Sequence, residues 1–222
     1  MKTRGLRPSF LFGDIMPYEI YNTWNFSIYL DIAESAMMRA RAQEKYEVAK
    51  FQWMRNNLKL ADTFIDVGAN KGDFTLHAAQ FCGKVYSIEP HPDNIEWLCK
   101  SIQLNDYNNI VVLEGCATNE KGSVDLTIGG KSGHHSITRK GSNTITVEGF
   151  RLDDMISEDN LVMKIDVEGA EKLVLQGAAD VIKRCRALLI DLDSRDLEGV
   201  KRLLPDHDLV SHKGNDLLFV RK

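Results

Sequence analysis

Residues 63–90 read TFIDVGANKGDFTLHAAQFCGKVYSIEP. A short apolar run ending at Val67 is followed at once by the turn Gly68-Ala69-Asn70-Lys71-Gly72 and then by the helical stretch DFTLHAAQFC. A second apolar run, KVYSIE, closes on Glu89-Pro90. Short apolar runs without strict alternation suit strands buried on both faces, and intervening helices make such strands parallel. The segment therefore predicts a βαβ unit whose ligand lies outside the carboxyl ends of its strands.

The alternation continues outward. Toward the C-terminus come a helix DNIEWLCKSIQLN opened by Pro92 and Asp93, then the strands NIVVLEG and LVMKIDV. They are followed by a helix AEKLVLQGAADVIKR, a strand ALLIDLD, a helix near 197–204, and two strands around Lys213-Gly214-Asn215. The runs FIDV, VVL and LLI all read as doubly buried strands. Between Gly122 and Phe150, SVDLTI and TITVEGF read as an antiparallel hairpin or flap around a polar loop. Toward the N-terminus, Asp31 to Leu58 contains no Gly or Pro and places apolar residues at helical spacing, which predicts one or two helices after a short arm. The expected organisation is an N-terminal arm and helical cap, 1–60, and an α/β domain, 61–222.

A chain of 222 residues with 43% hydrophobic and 27% charged residues has the balance of a soluble globular protein and room for one ordinary core. A net charge of −4 disfavours nucleic acid as a partner, because polyanion binding needs a clustered basic footprint. Cys82, Cys99, Cys116 and Cys185 form no CxxC pair, so neither a structural zinc site nor a disulfide scaffold is expected. No apolar run reaches membrane-spanning length, and the apolar part of MKTRGLRPSFLFGD is too short for a signal peptide, so the expected compartment is cytoplasmic.

Every parallel strand delivers an acid or a glycine to the same edge. The first ends in Asp66 and Gly68, the second in Glu89, the third in Glu114-Gly115, the fourth in Asp166-Val167-Glu168-Gly169, and the fifth in Asp191-Leu192-Asp193. Gly68 is expected to let the backbone approach a ligand, and Gly72 to start the following helix. Asp66 is suited to bind an ammonium or to orient the turn. Glu89 follows at the interval at which an acid grips a ribose diol. The turn lacks the GK[ST] of a phosphate-binding loop and the third glycine of a dinucleotide site. A nucleoside bearing an amino acid fits better, with its diol on Glu89, ammonium near Asp66 and carboxylate on loop amides. That ligand is S-adenosylmethionine.

The segments DVGANKGDFT, SIEPHPDN, LEGCATNEKG and MKIDVEGAEKLVLQGA together resemble the FkbM family of S-adenosylmethionine-dependent methyltransferases, over roughly Tyr46 to Asp193. The resemblance implies a class I methyltransferase (Rossmann-like) fold: seven mostly parallel strands, helices on both faces, and an antiparallel strand near the carboxyl terminus. It places Asp66, Gly68, Asn70 and Gly72, with Ala69 in the same turn, around the methionine end of the cofactor. Glu89, followed by Pro90, takes the ribose, and Cys116-Ala117 line the adenine pocket. Tyr46-Glu47 resembles the family's tyrosine–glutamate pair, which would fold the N-terminal helix over the cofactor. Asp191 and Asp193 stand where the family often has a glutamate.

The resemblance further implies O-methylation of a hydroxyl on a small molecule or glycan precursor, with sugars favoured. An RNA or other nucleic-acid methyltransferase and a non-catalytic cofactor-binding module are the alternatives. Strand periodicity puts Lys164, Asp166 and Glu168 on one side of KIDVEG, with Asp166 facing the acceptor and Lys164 organising the acids. His134 and His135, in the polar flap Gly129–Ser136, are candidate general bases. Asp166 with Asp191 or Asp193 could hold Mg²⁺, an arrangement not favoured because Lys164 already supplies positive charge.

Overall fold

The computed structural model describes residues 18–130, 134–194 and 196–222. Residues 1–17 of the arm and Lys131, Ser132 and Gly133 of the flap lie outside the described residues. The arm that is described is not extended chain. It is a hairpin of β1 (Glu19–Thr23) and β2 (Phe26–Leu30), closed by Trp24 and Asn25 with φ of 47° and 64°. Two left-handed residues give the turn the twist of the strands it joins. The hairpin docks on a later helix, where Ser27 exchanges hydrogen bonds with Asn105 (2.7 and 2.6 Å) and the Tyr29 amide donates to Ser101 Oγ (3.1 Å). Two helices follow as expected, α1 (Ala36–Ala42), capped by Ser35 Oγ, and α2 (Val48–Asn57).

The α/β region runs β3 (Thr63–Val67), α3 (Asp73–Ala79), β4 (Lys84–Glu89), α4 (Pro92–Leu104), β5 (Ile110–Glu114), β6 (Cys116–Ala117), β7 (Gly122–Thr127) and β8 (Thr144–Phe150). It continues with a 3-10 turn at Leu152–Asp154, β9 (Leu161–Ile165), α5 (Glu171–Gln176), α6 (Ala179–Ile182), β10 (Cys185–Asp191), α7 (Leu197–Leu203), β11 (His207–Lys213) and β12 (Asp216–Arg221). Seven strands form one sheet in the order β11-β12-β10-β9-β3-β4-β5. The five from β10 to β5 are parallel, and β12 is antiparallel to both β10 and β11. This is the architecture the sequence predicts. A three-stranded sheet, β6-β8-β7, carries the predicted flap as an antiparallel β7–β8 pair.

Two local expectations change. The single helix expected from Ala170 to Arg184 is broken into α5 and α6 at Gly177, where a Cβ would lie 1.9 Å from the Thr118 carbonyl oxygen. The chain bends there to pack on the 3-10 turn, and the Asp153 amide donates to Gly177 O. VVL is not doubly buried: β5 is the sheet edge, and Val111 is 37% exposed. By contrast β3 and β9 are buried along their whole length.

The cap joins the sheet through a second apolar cluster that includes Phe51, Met54, Phe64, Phe74 and Val162. His77 sits inside this contact against the rings of Phe51, Trp24 and Phe81. Its Nε2 donates to the Phe51 carbonyl oxygen (3.1 Å), and burial pushes the imidazole down to about 4. The unfolded imidazole titrates near about 6.5, so from there down to about 4 protons bind the unfolded chain preferentially and stability falls as pH falls. The urea midpoint is expected to decline across this window, and to decline less in His77→Phe. Identical pH profiles for the two proteins would contradict that assignment.

Candidate active site

The carboxyl ends of β3, β4 and β9 open on a cavity of about 300 Å³, which is within the range of small-molecule sites. Its wall includes Gly68, Ala69 and Asn70 from the first turn, Glu89 and Pro90 from the second, and Lys164, Asp166 and Glu168 from the fourth strand and its loop. Cys116, Ala117 and Leu126 enter from the small sheet, and Arg41, Tyr46 and Glu47 from the cap. Most of the predicted residues are therefore brought together. Asp66 and Gly72 are not on the wall.

Glu89 is buried, and its carboxylate is held from three directions. Oε2 accepts from the Asn70 amide (2.8 Å), and Oε1 accepts from the His91 amide (3.0 Å) and from Asn94 Nδ2 (3.1 Å). Burial raises the carboxyl group, and these hydrogen bonds oppose the shift. An ionised carboxylate has about four acceptor positions, and the described residues fill three of them. Cys116 beside it is pushed up to about 12 by burial and by the Glu89 charge, which leaves an inert thiol suited to an apolar wall.

Asp66 is fully buried behind the wall. Thr75 Oγ1 donates to its Oδ2 (2.6 Å), and Lys164 Nζ lies 3.2 Å from its Oδ1. It orients the turn, and the ammonium it holds belongs to Lys164. The same Nζ donates to the Gly68 carbonyl (2.9 Å) and lies 3.6 Å from Asp166 Oδ2. Burial would lower Lys164, but Asp66 and Asp166 hold it above its ordinary value. Lys164 is thus a charged strut beneath the one member of this trio that opens outward, Asp166, whose side chain is 32% exposed.

Gly68 lies on the cavity wall, and a Cβ there, at φ +80°, would lie 1.9 Å from the Asp166 carbonyl oxygen, so the β9 loop itself requires glycine at this position. Gly72 precedes α3 as predicted, and a Cβ there would meet Leu98 at 2.4 Å. Its role is helix packing.

The flap is latched over the cavity. Ser136 Oγ donates to the Glu168 carbonyl (2.8 Å), and Arg139 Nη2 reaches both Glu168 (2.9 Å) and Asp193 (2.5 Å). His134 and His135 both face the cavity. His135 stacks on His91 at 4.2 Å, and its Nδ1 accepts from the Gly129 amide (3.2 Å). Burial, with His91 adjacent, pushes His135 down to about 4. A neutral ring that accepts at Nδ1 carries its proton on Nε2, and the basic lone pair of His135 is engaged by the Gly129 amide. His134 lines the same cavity.

The acids expected to share a cation are divided. Asp193 is paired with Arg139, whereas Asp191 lies with Glu47 and Asp216 in a trio whose carboxylate oxygens fall within 4.8 Å of one another. Lys50 sits among them, 3.1 Å from Glu47 and 3.6 Å from Asp191 and also bonded to Asp216. A positive charge already occupies the centre of that trio. Asp166 is not a member of it.

The family model for the methyltransferase FkbM domain matches residues 66–211. The chain belongs to the FkbM methyltransferase family. Among curated proteins, the hexuronic acid methyltransferase AglP of Haloferax volcanii is 27% identical over 156 residues, 67% of this chain and 63% of that protein. The chain spans 27–63% of the length of the curated relatives it matches. Among solved structures, an FkbM methyltransferase from Methylobacillus flagellatus superposes with a TM-score of 0.53 at 17% identity, over 83% of this chain and 52% of that one. TYW2 of Methanocaldococcus jannaschii, solved in complex with AdoMet, superposes with a TM-score of 0.53 at 14% identity, over 96% and 90%. Those two likenesses are of fold.

In this FkbM domain, sequence reading missed Arg41, Lys50, Asp73 and Arg139. All but Asp73 are basic residues in cap or flap, where a lone Lys or Arg ordinarily signals a solvated surface. Only the folded chain carries them to the acids they neutralise.

Proposed function

We propose that this FkbM domain transfers the methyl group of S-adenosylmethionine to a hydroxyl of a small molecule or glycan precursor, a sugar being favoured. The observation that carries the reading is Asp166. It is the accessible carboxylate of the Lys164 cluster, at the floor of a cavity whose wall includes Glu89, the acid for the ribose hydroxyls. The cofactor supplies a methyl group that is already activated, so much of the work left to the protein is alignment. Asp166 orients the acceptor's hydroxyl oxygen toward the methyl group, and Lys164 holds Asp166 in place. His134 takes the proton, while the latched flap excludes water. The name of the relative AglP supports a uronic acid or related sugar as the acceptor class.

No metal is assigned a step, because Lys50 fills the acidic trio. Chelator is expected to leave turnover intact, whereas His134→Ala lowers it by roughly 10²–10⁴-fold. Activity lost to chelator and restored by Mg²⁺ would instead place an ion at the acids. The acceptor class is tested with methyl-labelled S-adenosylmethionine and a panel of nucleotide-sugars, uronate-containing glycans, lipids and tRNA. Label in a sugar hydroxyl is the expected result. Label in tRNA alone would favour the nucleic-acid reading over the argument from net charge, and tight cofactor binding with no label anywhere would favour a binding module.

A further inference from the structure

We propose that Arg41 is the receptor for the α-carboxylate of the cofactor's methionyl group, with Asp73 holding the guanidinium in place. The inference rests on S-adenosylmethionine as the ligand of the cavity and assigns its amino-acid end to a residue of the cap.

Arg41 leaves α1 and reaches Asp73 in the first turn of α3, with Nη1 3.1 Å from Oδ2. Both side chains are more than nine-tenths buried, yet both lie on the cavity wall. The Tyr46 ring covers the guanidinium at 4.7 Å, with its side chain also hydrogen-bonded to Arg41, and Met38 Sδ lies 3.6 Å from Nη1. Arg41 Nε is buried and has no hydrogen-bond partner among the described residues. A buried guanidinium with an unused donor is poised for a planar anion, which it can grip with paired N–H groups.

The remaining wall charges do not offer this. Lys164 spends its ammonium on Gly68, Asp66 and Asp166. Glu47, Glu89, Asp166, Glu168 and Asp191 would repel a carboxylate, though they suit the ligand's positive centres. Arg41 is therefore the wall cation whose unused donor can meet the ligand's one negative group. On this assignment a side chain of the cap, and not the loop amides, takes the carboxylate.

The test compares two ligands that differ only in this group: S-adenosylhomocysteine and its decarboxylated analogue, S-adenosyl-3-thiopropylamine. Calorimetry on the wild-type protein should show a preference of at least about tenfold for the carboxylate. That preference should vanish in Arg41→Gln and persist in part in Arg41→Lys. 5′-Methylthioadenosine, which lacks the amino-acid end, should bind all three proteins alike and report an intact nucleoside half. No preference in the wild type, a preference undiminished in Arg41→Gln, or an equal weakening of methylthioadenosine would overturn the assignment. A wild-type protein that binds none of the nucleosides would remove the cofactor reading itself, and this inference with it.

Discussion

Lys164→Met is expected to lower the stability of the folded protein by about 3–5 kcal/mol, the range for a buried ion pair that loses one partner. Lys164 is 4% exposed and Asp66 is fully buried, so no water enters to compensate the orphaned carboxylate. The variant also strands the Gly68 carbonyl, which accepts from Nζ, and frees the loop that follows β9. Urea unfolding at neutral pH, beside the wild type, would show this. A change below about 1 kcal/mol, as for an exposed pair, would contradict a buried strut.

Asp166→Asn separates architecture from chemistry. The backbone amide of residue 166 donates to Val67 O whatever the side chain, and the carboxylate is partly open, so the fold should persist. Turnover should fall by roughly 10²-fold, the loss expected when the reacting oxygen is misplaced by about 1 Å. An asparagine still offers an oxygen but no charge, so the acceptor loses both orientation and polarisation. Single-turnover methyl transfer, measured beside affinity for S-adenosylhomocysteine, should show the rate collapse with binding much less affected. Full activity would move the chemistry away from Asp166.

The sheet was legible because its signals are local. Continuous apolar runs, a glycine turn after Val67 and an acid at each strand end specify buried parallel strands and the edge where a ligand lies. Other features depend on partners distant in the chain. The β1–β2 hairpin escaped because its turn is Trp24-Asn25, with no glycine to mark two positive φ values. The helix break at Gly177 is set by Thr118, and the need for glycine at 68 by Asp166, neither of which lies nearby in sequence. In the site, Glu89, Lys164 and Asp166 announce themselves by strand position. The hydrogen bond that His135 accepts from Gly129 and its stack on His91 exist only in the folded chain.

Calorimetry with S-adenosylhomocysteine tests whether this cavity binds S-adenosylmethionine through Glu89. The wild-type protein should bind one equivalent, and Glu89→Ala, shown to be folded by its circular dichroism, should bind more weakly by about 1–3 kcal/mol, the cost of losing a charge-assisted hydrogen bond. Unchanged affinity in the folded variant, or no binding to the wild type, would contradict this mode of binding.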